Sequence, residues 1–189
     1  HGSLNYKNGD VYVGSFKNNK KDGNGTFTYT NGDIYVGEYK NDMMDGNGTF
    51  KYSNGNVYKG EYRHNKWDGK GSFTYLQGDK YDGSWKDGNM DGSGVFSYSN
   101  GDKYDGSWKD DYRNGFGTLT IANGDVFSGE WLDGMLTGAG KYQYNSGDIY
   151  EGEFINGRYN GEGTFTFSNG DVYTGNWKYD KMDGIGRMN

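Results

Sequence analysis

The chain has no cysteine, no proline, only two histidines and no long apolar run. Without cysteine there is no disulfide framework, thiol nucleophile or thiolate metal site. Collagen is excluded too, because proline is missing and glycine does not recur at every third residue. No segment approaches the ~20 apolar residues of a membrane-spanning helix. No secretory signal is visible, so the sequence reads as cytoplasmic. Cations are outnumbered, 20 Lys and Arg against 26 Asp and Glu. That balance argues against nucleic acid, whose binders carry a basic patch to displace counterions. Of the histidines, His1 belongs to His1-Gly2-Ser3, which reads as the remnant of a cleaved tag and is set aside from the fold.

Glycine and aromatic rings are abundant: 36 Gly, 19 Tyr, 10 Phe and 5 Trp. Such ring density is foreign to ordinary disordered tails. Asn-Gly-Asp or a close variant places its glycine at Gly9, Gly32, Gly55, Gly78, Gly101, Gly124, Gly147 and Gly170, every interval being 23 residues. A second glycine follows five residues later, and a Gly-x-Gly pair closes each period. The array is gapless, so residues 4–189 read as one continuous domain of eight units. Leu4 and Tyr6 read as the tail of an earlier unit, and the whole as a fragment of a longer array with open edges.

Each unit predicts a β-hairpin. Tyr12, Gly14 and Phe16 alternate with Val11, Val13, Ser15 and Lys17, and Gly25 and Phe27 alternate with Thr26 and Thr28, the period-two pattern of half-buried strands. Asn31-Gly32 is a hairpin-turn signal, and Asn18 to Asp22 reads as the other, longer and more variable turn. No stretch has a helical apolar period. Glycines and rings share one face, so each missing Cβ lets a neighbouring ring lie flat on the backbone. Columns of rings then stand in for a conventional core, and each unit depends on its neighbours. The expected fold is all-β: a single-layer array of eight stacked 23-residue hairpins, elongated into a twisted rod.

The unit Asn-Gly-Asp-x-Tyr-x-Gly-x-Trp/Phe/Tyr followed by Gly-x-Gly-x-Phe-x-Tyr resembles the MORN (membrane occupation and recognition nexus) repeat. The resemblance covers residues 4–189. It implies scaffolding at membrane–cytoskeleton junctions, with phosphoinositide binding or targeting of an attached enzyme as further family roles. A departure lies before the Gly-x-Gly pair, where Asp22, Asp45, Asp68, Asp91 and Asp183 stand in place of the histidine of many members.

The residues themselves give no catalytic site. Asp10, Asp33, Asp79, Asp102, Asp125, Asp148 and Asp171 recur as turn residues, whereas a glycosidase needs one distinctive carboxylate pair. The Gly-x-Gly pairs lead into strands and not into the helix N-terminus that a phosphate loop requires. We therefore expect no enzyme activity and no cofactor. His64 near Asp68 is a weak metal candidate; the plainer reading is an exposed turn residue.

Three surface features remain. Lys17, Lys40, Arg63, Lys86, Lys109 and Lys178 share one strand position, a row that suits anionic lipid headgroups; a solvated row paired with Glu38, Glu61 and the turn aspartates is the favoured alternative. Met44, Trp67, Met90, Leu136, Tyr159 and Met182 form a second column, interrupted by Lys21 and Arg113. They either make a partner-binding ridge or fold back to cap the rings. Leu132 and Ile155 replace the cations of the first row in units six and seven and mark a contact surface. The leading expectation is a scaffold that self-associates as a homodimer through an open sheet edge or its C-terminal repeats. Its other partners would be cytoskeletal or membrane-associated proteins and anionic lipids, at a site peripheral to a membrane or the cytoskeleton. The alternatives are a phosphoinositide-binding module and a targeting array of a larger enzyme.

Overall fold

Each 23-residue period but the last folds as a seven-residue strand, a two-residue turn, a nine-residue strand and a longer loop; the last closes on an eight-residue strand. A computed structural model describes all residues 1–189; it is all-β, with seventeen antiparallel strands in one open sheet. The chain divides into two compact units, His1–Gly92 and Ser93–Asn189.

The first unit holds β1 (Gly2–Asn5), β2 (Val11–Lys17), β3 (Lys20–Thr28), β4 (Ile34–Lys40), β5 (Met43–Lys51), β6 (Val57–Arg63), β7 (Lys66–Thr74) and β8 (Lys80–Lys86). Each pairs with the next in chain order. Strand β1 takes in Gly2 and Ser3, set aside on sequence, and pairs them with Gly14 and Val13. Strand β9 (Asn89–Ser97) includes the unit boundary. The second unit continues as β10 (Lys103–Lys109), β11 (Tyr112–Thr120), β12 (Val126–Leu132), β13 (Met135–Gln143), β14 (Ile149–Ile155), β15 (Arg158–Thr166), β16 (Val172–Lys178) and β17 (Lys181–Met188), again a meander.

The turns differ from the sequence expectation. The two-residue turn is Asn18-Asn19, both at positive φ (51° and 60°), joining Lys17 to its cross-strand partner Lys20. That is the geometry whose twist matches the flanking strands. Asn31-Gly32 lies in the longer loop, where Gly32 N–H donates to the Tyr29 carbonyl and only Gly32 takes positive φ. Residues 20–22, read as loop, belong to β3. A bulge makes this possible: the register jumps between Gly14 and Phe16, so Ser15 faces three residues, Asp22 to Asn24, and Gly23 at φ 93° absorbs the excess.

The bulge also builds the core. Tyr12 lies across its own strand and the next, and a Cβ at Gly14 or Gly25 would collide with its ring. Its hydroxyl donates to the Ser15 carbonyl at 3.0 Å. Tyr35, Tyr58, Tyr81, Tyr104, Tyr150 and Tyr173 repeat this bond to the residue three further on. Neighbouring rings meet edge to face at about 5 Å, as in Tyr35 with Tyr39 and Tyr62, the arrangement favoured by ring quadrupoles. Unit six departs. Phe127 stacks on Tyr142 at 3.8 Å, and Leu136 approaches Gly129 where the other units place a tyrosine ring.

Candidate functional site

The sheet has two unlike faces, one carrying the ring columns and one without them. The column Met44, Trp67, Leu136, Tyr159 and Met182 does not sit in a turn. The register places each opposite a ring of the preceding strand, as Tyr39↔Met44, Tyr62↔Trp67 and Phe154↔Tyr159. The column folds back over the rings. Trp67 stacks on Tyr58 at 4.5 Å, Tyr159 stacks on Tyr150 at 3.7 Å, and Leu136 is buried. Met44 and Met90 are half-buried and Met182 exposed. Two clefts remain beside the column. One, of about 300 Å³, includes Met44, Phe50, Tyr52, Tyr62 and Trp67; the other, of about 370 Å³, includes Tyr142, Tyr144, Tyr159, Phe165 and Trp177. The Tyr62 hydroxyl is buried and the Trp67 indole approaches it without meeting hydrogen-bond geometry.

On the face without the ring columns, Lys17, Lys40, Arg63, Lys86, Lys109 and Lys178 end their strands, all exposed. Lys20 and Lys66 stand opposite Lys17 and Arg63 and thicken the row. Glu38 and Glu61 accept the backbone N–H groups of Asn47 and Lys70 in the bulges. The nearer anions of the row are aspartates: Arg63 lies 3.7 Å from Asp68 and Lys109 3.9 Å from Asp110. His64 occupies a tight turn at φ 50°, with Nε2 3.9 Å from Asp45, and no three possible metal ligands gather there.

Four apolar side chains occupy the same row in the second unit. Leu132 is 55% exposed, Met135 51%, Ile155 55% and Tyr112 59%. Leu132 and Met135 are direct cross-strand partners, flanked on β11 and β14 by Tyr112 and Ile155. Phe116, also exposed, faces Glu130 further along β11. Sequence reading found Leu132 and Ile155. It missed Tyr112 and Met135 because their place in strands β11 and β13 follows only from the two-residue turn.

The turn aspartates do more than shape loops. Asp33 N–H donates to the Asn31 side chain, and the Asp33 carboxylate accepts the Ser53 N–H of the next period at 2.7 Å. Asp10, Asp102, Asp125 and Asp148 clasp Thr30, Ala122, Asn145 and Ser168 in the same way. These N–H groups, leading the causes, hold the carboxyls of Asp10, Asp33 and Asp148 below their usual range; at Asp125 the Tyr142 hydroxyl contributes most. A depressed folded-state pKa adds stability that is present above the unfolded value and lost as pH falls through the folded one. Asn56 makes the same clasp to Leu76 without a charge. The triple variant Asp10→Asn, Asp33→Asn, Asp148→Asn is therefore expected to lose less Tm than the parent between pH 7 and pH 3, read by thermal melting. An equal loss in both proteins would remove the clasps from the acid response.

The same unit recurs eight times in the family comparison: the MORN repeat description matches residues 12–34, 35–57, 58–80, 81–103, 104–126, 127–149, 150–172 and 173–188. The chain belongs to the MORN repeat family. A MORN repeat is a non-catalytic repeat module. Among solved structures, the array is similar to the TCP domain of SAS-4 (dCPAP) of Drosophila melanogaster, solved in complex with a proline-rich motif of Ana2 (dSTIL). Identity is 17%, the TM-score 0.51, and the match covers 83% of this chain and 86% of that one. It is also similar to the G-box domain of the microcephaly protein CPAP, at 12% identity and TM-score 0.60, covering 99% and 96%. At these identities the likeness is one of fold. Comparison with curated proteins gives no match. What distinguishes this MORN array is therefore carried by its own columns, above all where Lys21, Arg113, Leu132 and Ile155 break them.

Proposed function

We propose that the chain is a non-enzymatic scaffold that assembles with copies of itself, at a membrane-linked cytoskeletal structure. The observation that carries this reading is the row of Tyr112, Leu132, Met135 and Ile155. Four apolar side chains more than half exposed, at positions that elsewhere hold Lys17, Lys20, Lys40 and Arg63, are the kind of patch that marks an interaction surface. Conventional apolar burial is handled on the opposite face by the rings, so packing within the chain does not account for these residues. The SAS-4 TCP domain, similar to this chain in fold and solved in complex with a proline-rich motif of Ana2, supports a role in protein–protein assembly. The cytoskeletal setting is part of this proposal and rests on the resemblance to MORN scaffolds.

The test is sedimentation velocity over a concentration series. The parent is expected to associate, and Leu132→Lys with Ile155→Lys is expected to weaken association at least tenfold, since each charge would be buried unpaired in the contact. Association unchanged in the double variant would remove the patch from the interface. A phosphoinositide-binding module is the second reading, supported by the cation row of the first unit. Salt-sensitive pelleting with acidic vesicles, abolished by charge reversal at Lys17, Lys40 and Lys86, would favour it.

A further inference from the structure

Lys21 stands where other periods hold Met44, Trp67 or Tyr159, and its ammonium lies within a box of rings. The nitrogen is 4.8 Å from the Phe27 centroid, 4.9 Å from Tyr39, 5.6 Å from Tyr12 and 6.0 Å from Tyr6. Asp42, in the tight turn of the next period, accepts the Lys21 backbone N–H at 2.8 Å and places its charge beside the box. Burial lowers the Lys21 pKa, and Asp42 opposes the shift. Arg113 repeats the ring contacts in the second unit, with Leu119 in the place of Phe27 and Gly134 in that of Asp42, its guanidinium 5.0 Å from both Tyr104 and Trp131 and 5.8 Å from Tyr98. Where the column supplies a cation, the rings house it, as the negative faces of their π-systems favour.

Six periods after Lys21 the same box recurs without its cation. Tyr144, Tyr150, Phe165 and Trp177 take the places of Tyr6, Tyr12, Phe27 and Tyr39, and Asp180 takes that of Asp42. Tyr159 replaces the lysine. It lies flat on Tyr150 and shares a 2.6 Å hydrogen bond with the Tyr144 hydroxyl. The cleft of about 370 Å³ beside it is lined by Phe127, Tyr142, Tyr144, Phe165 and Trp177, with Asp180 on its wall. Asp180 is exposed and accepts the Tyr159 N–H at 2.8 Å, as Asp42 does for Lys21. The corresponding cleft of the first unit has neutral Asn65 at this position and is lined by Lys66 as well. It carries the wrong charge for a cation.

We propose that the cleft at Asp180 binds an alkylammonium group, the side chain of a lysine or N-methylated lysine presented by a partner protein. The rings would face the methylenes and the methyl groups, and Asp180 would balance the charge. A polypeptide is the source that the structure favours, because both cations already held in such boxes arrive on side chains.

Isothermal titration tests this with the tripeptide acetyl-Ala-trimethyllysine-Ala-amide, its leucine counterpart and tetramethylammonium chloride. The trimethyllysine peptide is expected to bind, the leucine peptide to bind at least tenfold more weakly, and tetramethylammonium to compete. Asp180→Asn should weaken the methylated peptide about tenfold. That variant preserves the turn, since Asn65 has nearly the same φ (68° against 66°) and accepts the Met44 N–H as Asp180 accepts that of Tyr159. Tyr159→Lys should abolish binding by supplying a competing cation from within, as Lys21 does in its own box. Equal binding of the leucine peptide, no binding of either peptide, or indifference to Asp180→Asn would each overturn the proposal. Binding of tetramethylammonium alone would overturn the assignment to a protein side chain.

Discussion

Replacing Gly37 with alanine is expected to cost at least about 3 kcal/mol, the upper end of what overpacking does to a protein interior. Gly37 does not need glycine for its backbone angles; its φ is not positive. It needs glycine for room. An added Cβ would lie 2.5 Å from the Gly48 Cα, 2.5 Å from the Tyr35 hydroxyl oxygen and 2.7 Å from the Asn47 carbonyl oxygen. Two of these neighbours are backbone of the next strand, and the third is the tip of a buried ring. The sheet must therefore open between β4 and β5 to admit one methyl group. Gly88 supplies the control. It lies in a tight turn at φ 97° with nothing near an added Cβ, so alanine there meets only the left-handed strain, about 1–2 kcal/mol. Urea denaturation of both variants decides the matter. If Gly37→Ala costs no more than Gly88→Ala, the seating of rings on glycine is not what holds the array together.

Tyr58→Ala should be as damaging for the opposite reason. Tyr58 has no exposed surface. It stacks on Trp67 at 4.5 Å and meets Tyr62 and Trp85 edge to face at 5.2 and 5.5 Å. Truncation leaves a cavity bounded by a rigid backbone on one side and by three rings on the other, with little freedom to collapse. Aromatic truncations of this kind cost about 3–5 kcal/mol. Tyr58→Phe keeps the ring and removes only the 3.0 Å bond to the Glu61 carbonyl, at about 1 kcal/mol. A ratio near one between the two losses, measured by the same denaturation, would show that the hydroxyl and not the ring is the anchor. Burial also raises the Tyr58 pKa, ahead of the charges of Glu61 and Asp68. The phenol accordingly stays neutral and remains a donor across the working pH range.

The period, the ring columns and the two faces of the sheet were legible because each rests on a local rule. Alternation in Tyr12-Val13-Gly14 assigns faces at period two, and identical spacing over eight units removes ambiguity about register. The turns were not legible in the same way. Asn31-Gly32 carries the familiar hairpin dipeptide, yet only Gly32 takes positive φ. The two-residue turn is made by pairs as unlike as Asn18-Asn19, His64-Asn65 and Tyr179-Asp180. From that error came the placing of Trp67 and Tyr159 in a turn, when a bulge of which Gly23 is one example makes their segment a strand. The clasps of Asp10, Asp33 and Asp148 were hidden for another reason. Each partner lies twenty residues on, in a different period, and repetition of an aspartate beside a turn glycine is fully explained by the turn until that partner is seen. For the box around Lys21, the interruption of the column by Lys21 and Arg113 was the available signal. It pointed to an exception without showing that rings surround it.

These strands place burial and display on opposite sides of one sheet. The rings hold the array, and the contact we propose between copies lies on the opposite face of the second unit. Hydroxyl-radical footprinting of the protein at increasing concentration tests that claim directly. Tyr112, Leu132, Met135 and Ile155 should lose reactivity together as mass rises, while Met44 and Tyr52, on the ringed face, keep theirs. Reactivity independent of concentration, or protection confined to the ringed face, would contradict it.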